Sequence, residues 1–241
     1  MNIIEATGLG KRYGRAWALR DCTLSVPGGH VVGLVGPNGA GKTTLLSMAV
    51  GLVPPTTGRV TVLDGVLAGS PDALDRIAFV AQDAPLYKNL PVKDMLHVAR
   101  NLNRRWDGAR ATRRLDDLGI PQSKRVGELS GGQKAQLSLT IALARRPDLL
   151  VLDEPLAALD PVARDDFMQS VLAAVAADGI SVVFSTHVVA ELEKVTDYLV
   201  VLGRGQVLLT GEAPDLVAEY GTSLEKIVLA CMRGHNMEEA A

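Results

Sequence analysis

The sequence predicts an α/β protein with a mainly parallel sheet, and three observations carry this prediction. Apolar runs at 31–35, 149–152 and 180–184 are typical of strands buried in the centre of such a sheet. Turn residues and helical patterns follow these runs, as expected for alternating strands and helices. Residues 36–43 fit G-x-x-x-x-G-K-[ST], the phosphate-binding P-loop, between a predicted strand and a predicted helix. Together these observations predict a P-loop NTPase core.

The residue types in this loop match what a bound phosphate requires. Glycines let backbone N–H groups turn inward and approach a phosphate closely. The positive end of the following helix dipole adds to the same anion site. Lys42 supplies a mobile cation for the β- and γ-phosphates, and the Thr43 hydroxyl can bind Mg²⁺. The alternative is a glycine turn with a chance Lys-Thr pair, which does not explain why strand and helix are both in register with the motif.

Composition and charge limit the classes of function. The 241 residues suffice for one α/β domain or two small ones, and 47% of them are apolar. A net charge of −2 gives no global basic field, so we expect no nucleic-acid partner. Cys22 and Cys231 lack metal-ligand spacing, which favours buried free thiols. We see no secretory signal and no apolar run of ~18 residues, so we expect any membrane role to come through a partner.

Local patterns predict the remaining elements in chain order. The predicted strands cover 2–35, with a turn at 27–29, and then 58–63, 77–80, 149–152, 180–184 and a hairpin at 198–209. A purely helical block begins at Pro91, and its second helix is predicted at 113–118. We interpret Trp106 and its neighbouring arginines as a solvated helix end. The later helices are predicted at 131–144, 161–177, 188–195 and from Pro214, and a tail follows.

Polar residues stand after four of the predicted strands. These residues are Gly36, Gln82, Asp153 with Glu154, and His187. Ligands of open α/β sheets bind at the carboxyl ends of strands, so we expect these groups to converge on one nucleotide. Asp153 has the position of a Mg²⁺ carboxylate, and Glu154 is placed to accept a proton from water. Taken singly, a strand-end Asp-Glu pair is also typical of a helix cap, and a lone His of a structural role.

In this order, the motifs resemble those of the ATP-binding cassette (ABC) ATPases over about residues 2–212. Leu129 to Gln133 match the ABC signature letter for letter, and that motif separates this family from other P-loop NTPases. The resemblance implies an antiparallel β subdomain beside the P-loop core and a helical subdomain at about 85–130. It also implies a short C-terminal tail at about 213–241, all within a single ABC ATPase domain.

The resemblance implies a role for each matching residue, with ATP and Mg²⁺ as cofactors. The implied catalytic residues are Lys42, Gln82, Glu154 as the general base and His187 as the switch histidine. The implied metal ligands are Thr43, Gln82 and Asp153. Among the implied nucleotide-binding residues, Tyr13 is the aromatic that stacks on adenine. The others are Gly36, Pro37, Asn38, Gly39, Ala40, Gly41, Lys42, Thr43 and Thr44 of the Walker A loop. Ser130, Gly131, Gly132 and Gln133 of the signature and Asp160 of the D-loop complete the set.

Two places depart from the common family pattern. Ala157 stands where Ser often opens the D-loop, and Lys134-Ala135-Gln136 is less rich in Arg than is usual after the signature. Hydrolysis is still expected, and its rate is left open.

The resemblance also implies partners. In this family ATP is cleaved between two nucleotide-binding domains, so a second copy or a related subunit is expected. A DNA-repair or translation-type protein is excluded, because the chain has one P-loop and no room for a coiled coil before Leu129. We favour a transporter subunit, cytoplasmic and bound to the membrane's cytoplasmic face through a permease. Segments 124–130 and 223–229 are similar to ABC-2 exporter ATPases. The alternative is a soluble ATPase such as an iron–sulfur cluster assembly factor.

Overall fold

The computed structural model describes residues 1–82, 85–189 and 193–234. The strands are β1 (Asn2–Tyr13), β2 (Ala16–Pro27), β3 (Val31–Val35), β4 (Thr57–Val62), β5 (Val66–Leu67), β6 (Ile77–Val80), β7 (Leu149–Asp153), β8 (Ser181–Thr186), β9 (Tyr198–Gly203) and β10 (Gln206–Glu212). The helices are α1 (Lys42–Ala49), α2 (Pro71–Arg76), α3 (Val92–Leu102), α4 (Gly108–Asp117), α5 (Gly131–Ala144), α6 (Pro161–Asp178), α7 (Ala213–Tyr220) and α8 (Leu224–Arg233). The chain divides into two compact units, Met1–Leu74 with Ser181–Ala241, and Asp75–Ile180.

The first unit contains an antiparallel sheet and a set of mainly parallel strands. The antiparallel sheet has the order β2-β1-β4-β5, and the alternating burial of β2 is typical of a strand with one solvent-facing side. In the other set the order is β10-β9-β3-β8, and β3 pairs in parallel with both of its neighbours. All residues of β3 and β8 are buried, as expected of parallel strands that are covered on both faces.

The second unit combines one parallel strand pair with helices. Strands β6 and β7 pair in parallel, with Val80 opposite Leu152. The helical part has its own apolar core, which includes Val92 of α3, Leu115 of α4 and Leu137 of α5, all fully buried. Asp160 and Pro161 begin α6, and Gly179 ends it in the left-handed conformation.

Several elements differ from the sequence prediction. Helix α2 was not predicted, since six residues are too few for a clear apolar period. Helix α4 begins at Gly108, five residues before the predicted start, because Asp107 caps it by accepting the Arg110 N–H. The helix predicted from Pro214 is confirmed as α7, whereas the tail predicted after it contains helix α8, and residues 235–241 lie outside the described part of the chain.

Two further differences concern single segments. Trp106 is half-buried and packs against the helical core, so its interpretation as part of a solvated helix end was wrong. The predicted helix at 188–195 falls partly on residues 190–192, which lie outside the described residues, and 193–195 form a turn.

Both cysteines are free thiols as predicted. Cys22 is buried and Cys231 is half-buried, and burial raises the pKa of each thiol.

Candidate functional site

The P-loop connects β3 to α1 in the first unit, and its glycines are sterically required. A Cβ on Gly36 would lie 2.4 Å from the carbonyl oxygen of Leu202. Gly41 caps α1 with a φ of 103°, and a Cβ there would lie 2.7 Å from the carbonyl oxygen of Ala18. Only glycine tolerates these positions, so the backbone of the loop is held in one path by its surroundings.

Lys42 bends back over this loop from the first turn of α1. Its Nζ donates to the carbonyl oxygens of Gly36, at 2.8 Å, and Pro37, at 3.4 Å, and the residue is only 5% exposed. Pro37, Asn38 and Gly39 are exposed at the tip of the loop, and Thr43 is exposed beside Lys42. The ammonium group, the helix N-terminus and a hydroxyl are therefore brought together around one loop, and they suit a polyphosphate.

His187 reaches the same edge of the first unit as the P-loop. Strands β3 and β8 are parallel neighbours, with Val35 opposite Thr186, so Gly36 and His187 both follow the carboxyl end of this pair. The Val188 N–H donates to Thr186 Oγ1 at 3.0 Å, which turns the chain directly after the strand. The side chain of His187 is exposed there.

Tyr13 ends β1 in the first unit with a half-exposed ring. The ammonium of Lys11 lies 5.4 Å from the ring centroid, within cation–π range. The ring is 52% exposed. An aromatic ring that is held by its neighbours and still open to solvent can stack on a flat ligand such as a nucleobase.

In the second unit, the strand pair β6–β7 also delivers polar residues at its carboxyl end. Gln82 follows β6 and is exposed, whereas Asp153 ends β7 and is 2% exposed. Glu154 is half-buried and has a φ of 46°, a left-handed conformation that is uncommon outside glycine. That turn separates the two adjacent carboxylates, so Asp153 stays with the buried strand while Glu154 leaves it.

The signature segment forms the N-terminus of α5 through a capping box. Ser130 Oγ accepts the Gln133 N–H at 3.1 Å, and Gln133 Oε1 accepts the Ser130 N–H at 3.2 Å. Because the Ser130 oxygen already accepts a bond, its own O–H is left to donate to an anion. The first turn of the 14-residue helix α5 points its N–H groups the same way.

Asp160 lies beside this helix end. Its carboxylate caps α6 by accepting the N–H groups of Val162 and Ala163. Arg164 Nε donates to the Leu159 carbonyl oxygen at 2.8 Å and so braces the same turn. A cleft of about 250 Å³ lies between the two helix ends, and its lining includes Ser130, Gly132, Gln133, Gln136 and Asp160.

The structure thus brings the predicted residues together in groups. In the first unit the P-loop and His187 share one edge; in the second, Gln82 shares an edge with Asp153 and Glu154, and Ser130 shares a cleft with Asp160. Sequence patterns did not indicate the contacts of Arg164 and Arg114, because long polar side chains on helices give no local sign of the element they reach. Within the described ranges, no group of three or more His, Cys, Asp or Glu side chains could hold a metal ion. Among those same residues, none of the helices has the length and apolar character needed to cross a membrane.

Comparisons of the sequence with a family model and with known proteins indicate the same kind of protein. The family model described as ABC transporter matches residues 19–157. The Nod factor export ATP-binding protein I of Rhizobium sp. (strain N33) is 36% identical over 229 residues, which cover 90% of this chain and 73% of that protein. An Fe(3+) ions import ATP-binding protein of Pseudomonas fluorescens is 34% identical over 229 residues, which cover 90% of this chain and 63% of that protein.

A solved structure is similar over almost the whole chain. It is described as the structure of the ATP binding subunit of an ABC transporter, and it matches with a TM-score of 0.83 at 27% identity. The match covers 95% of this chain and 99% of that one. The α/β fold class predicted from the sequence is therefore confirmed.

Proposed function

The chain belongs to the ABC transporter family of ATP-binding proteins and is an ATPase of that family, and from this premise we propose how its residues act and what it serves. The proposal treats residues 1–241 as a single ABC ATPase domain with a helical subdomain at about 85–130. It assigns ATP as the substrate and Mg²⁺ as the metal. It assigns the second nucleotide-binding domain and a membrane permease as the partners.

The P-loop residues bind the phosphates in this proposal. Lys42, whose Nζ donates to the Gly36 and Pro37 carbonyls, binds the β- and γ-phosphates through charge-assisted hydrogen bonds. Residues 36–44 enclose the phosphates with backbone N–H groups, and Tyr13 stacks on the adenine.

The donors for Mg²⁺ are hard oxygen ligands, as this ion prefers. Thr43 offers an exposed hydroxyl, Gln82 an exposed amide and Asp153 a carboxylate that is almost fully buried. When bound, Mg²⁺ neutralises charge that develops on the phosphates. Each of these groups is an oxygen donor of the kind that Mg²⁺ accepts, so each residue taken by itself suits the ion.

Glu154 is assigned as the general base that takes a proton from the attacking water, and His187 as the group that stabilises the transferred phosphoryl. The observation that supports this assignment is that strand β7 ends at the buried Asp153 and the backbone turns at the half-buried Glu154, so the two neighbours differ in burial and can hold different roles. The Glu154→Gln variant tests this assignment, because it should bind Mg-ATP and fail to cleave it.

The signature segment is assigned to ATP that a partner domain holds. Ser130 has an O–H left to donate and stands at a helix N-terminus, and both features suit a γ-phosphate. Gly131 and Gly132 add backbone N–H groups, Gln133 holds Ser130 through the capping box, and Asp160 lines the same cleft. One P-loop and one signature in this chain therefore need a second nucleotide-binding domain, either another copy or a related subunit.

The wider role that we propose is to power export through a separate permease on the cytoplasmic face of a membrane. The relatives include an export and an import protein at similar identity, so direction rests on segments 124–130 and 223–229, which are similar to ABC-2 exporter ATPases. The relatives favour this role over iron–sulfur assembly, since they are described as transport proteins.

Coexpression with a cognate permease tests this role. We expect the chain to move into the membrane fraction only when the permease is present. In inside-out vesicles of that complex, added ATP should drive solute into the lumen if the direction is export, and should empty preloaded vesicles if it is import. Recovery of the chain in a cytosolic complex with iron–sulfur scaffold proteins would contradict the proposal.

A further inference from the structure

In the second unit, the guanidinium of Arg114 on α4 contacts side chains of α5, the helix that begins with the signature. Arg114 Nη2 donates to Gln136 Oε1 at 2.8 Å, and Arg114 Nε donates to Thr140 Oγ1 at 3.2 Å. Thr140 Oγ1 in turn donates to the backbone carbonyl of Gln136 at 2.7 Å. One side chain thus ties α4 to the second and third turns of α5.

This arrangement is a costly way to join two helices. Gln136 is 7% exposed and Thr140 is 1% exposed, and both are neutral acceptors. Burial lowers the pKa of Arg114, the nearby charge of Arg110 lowers it further, and Asp117 opposes the shift. Buried ionic groups are often no more stabilising than apolar side chains of similar volume, so helix packing alone does not explain an arginine here.

The bonds of Arg114 also fix the orientation of the Gln136 amide. A guanidinium only donates, so Gln136 must turn its Oε1 toward it. The amide nitrogen is then buried, with no acceptor among the residues that the structure describes. A buried donor without an acceptor is normally avoided. Here the hydrogen bond from Arg114 Nη2 holds the amide in that orientation.

Gln136 lies close to the end of α5 that carries the signature. It follows Ser130 by six residues, which is about 9 Å along a helix axis. Gln136, Ser130 and Gly132 all line the same cleft. A rotation of α5 about its axis would redirect the Ser130 hydroxyl and the first N–H groups, and the two bonds from Arg114 resist that rotation.

We propose that Arg114 is a positioning residue, which sets the rotation of α5 so that Ser130 and the N–H groups beside it meet the γ-phosphate of ATP held by the partner domain. This inference rests on the role proposed for Ser130. It requires Arg114 to act on the partner's nucleotide and not on nucleotide binding by this chain's own P-loop.

The test compares four variants in the complex that hydrolyses ATP. Arg114→Gln removes the guanidinium, and Arg113→Gln is the matched control, since Arg113 is its exposed neighbour on α4. The double variant Arg114→Gln/Gln136→Arg exchanges the two groups between the helices. Ser130→Arg blocks the signature itself. The measurements are kcat, the Kd for a fluorescent ATP analogue, and Mg-ATP-dependent dimerisation of each variant in the Glu154→Gln background.

We expect Arg114→Gln to lower kcat by about 10- to 100-fold, the range typical of a misplaced catalytic contact, with the Kd unchanged. The exchanged pair should recover most of kcat, and Arg113→Gln should match the unmodified chain. A purely structural role would lower the melting temperature without separating kcat from Kd. If Arg114→Gln does not fold, Arg114→Lys, which keeps the charge but loses the paired donors, should give the same separation.

The outcomes distinguish this inference from the proposed function. Wild-type kcat in folded Arg114→Gln, or an exchanged pair that folds and stays as slow as the single variant, would overturn the inference. If Ser130→Arg abolishes the ATP-dependent dimer and Arg114→Gln leaves it intact, only the inference fails. If Ser130→Arg leaves the dimer intact, the role proposed for the signature fails first.

Discussion

Substitution of Glu154 by Gln is the change that separates nucleotide binding from cleavage. Gln is nearly isosteric with Glu and accepts the left-handed φ of 46° at this position with similar strain, so we expect the fold to be kept. The amide cannot take a proton from water. The variant should therefore bind Mg-ATP normally and stop before hydrolysis, with intact γ-phosphates bound in both sites.

The stalled state should be a dimer, and the structure indicates how strongly ATP favours it. ATP shifts dimerisation only through contacts that exist in the dimer and not in the monomer. At each site these are the Ser130 hydroxyl, worth about 1.5–3 kcal/mol as a bond to a charged group, and the α5 N-terminus, worth about 0.3–1 kcal/mol. Two sites contribute about 4–8 kcal/mol, so ATP should tighten the dimer about 10³- to 10⁶-fold.

Light scattering of Glu154→Gln with and without Mg-ATP measures this directly. We expect a monomer without nucleotide, a dimer with Mg-ATP, and a return to monomer when ATP is removed. Adding Ser130→Arg should abolish the dimer while the P-loop still binds ATP. A monomer under all conditions, with this chain alone and with its related subunit present, would refute the two-sided site.

Three further predictions concern single side chains. Lys42→Ala should lower ATP turnover by at least about 10²-fold in phosphate-release assays while circular dichroism stays native, because the ammonium meets charge that develops in the transition state; near-normal turnover would contradict the P-loop assignment. Tyr13→Ala should weaken ATP binding by about 1–3 kcal/mol in titration calorimetry and spare the saturated rate, with Tyr13→Phe as control. Tyr87 lies five residues after Gln82 in the sequence, and 61% of its surface is exposed, so we expect it to contact the permease. Tyr87→Ser should reduce copurification with the permease before it changes the Kd for ATP, and an unchanged yield would place the contact elsewhere.

Much of the fold follows from local sequence patterns. The run at 31–35 is apolar throughout and lies next to glycine, so it could only be a buried strand that leads into a turn, and β3 has those bounds. Pro161 and Gly179 predicted both ends of α6, because the residues that start and stop a helix act locally. The start of α4 was placed wrongly, since its first turn is polar and begins with a glycine.

The candidate site was predictable in its residues, and its geometry was not. The motif letters identify Lys42, Ser130, Asp153 and Glu154, because phosphate, metal and water each require particular chemical groups at strand and helix ends. The tertiary structure decides where those groups point. Lys42 turns back onto the Gly36 carbonyl, Glu154 leaves the strand through a left-handed turn, and Ser130 uses its oxygen in a cap.

The sequence by itself determined the class of chemistry and the order of the elements, because both depend on interactions between residues that are near one another in the chain. Only the tertiary structure decided how Arg114 meets Gln136 and Thr140, which lie 22 and 26 residues away. Helical periodicity places these side chains on faces of α4 and α5 and leaves open which faces meet. The packing of the two helices around a shared apolar core selects that contact, and it places the half-buried guanidinium of Arg114 beside the signature helix.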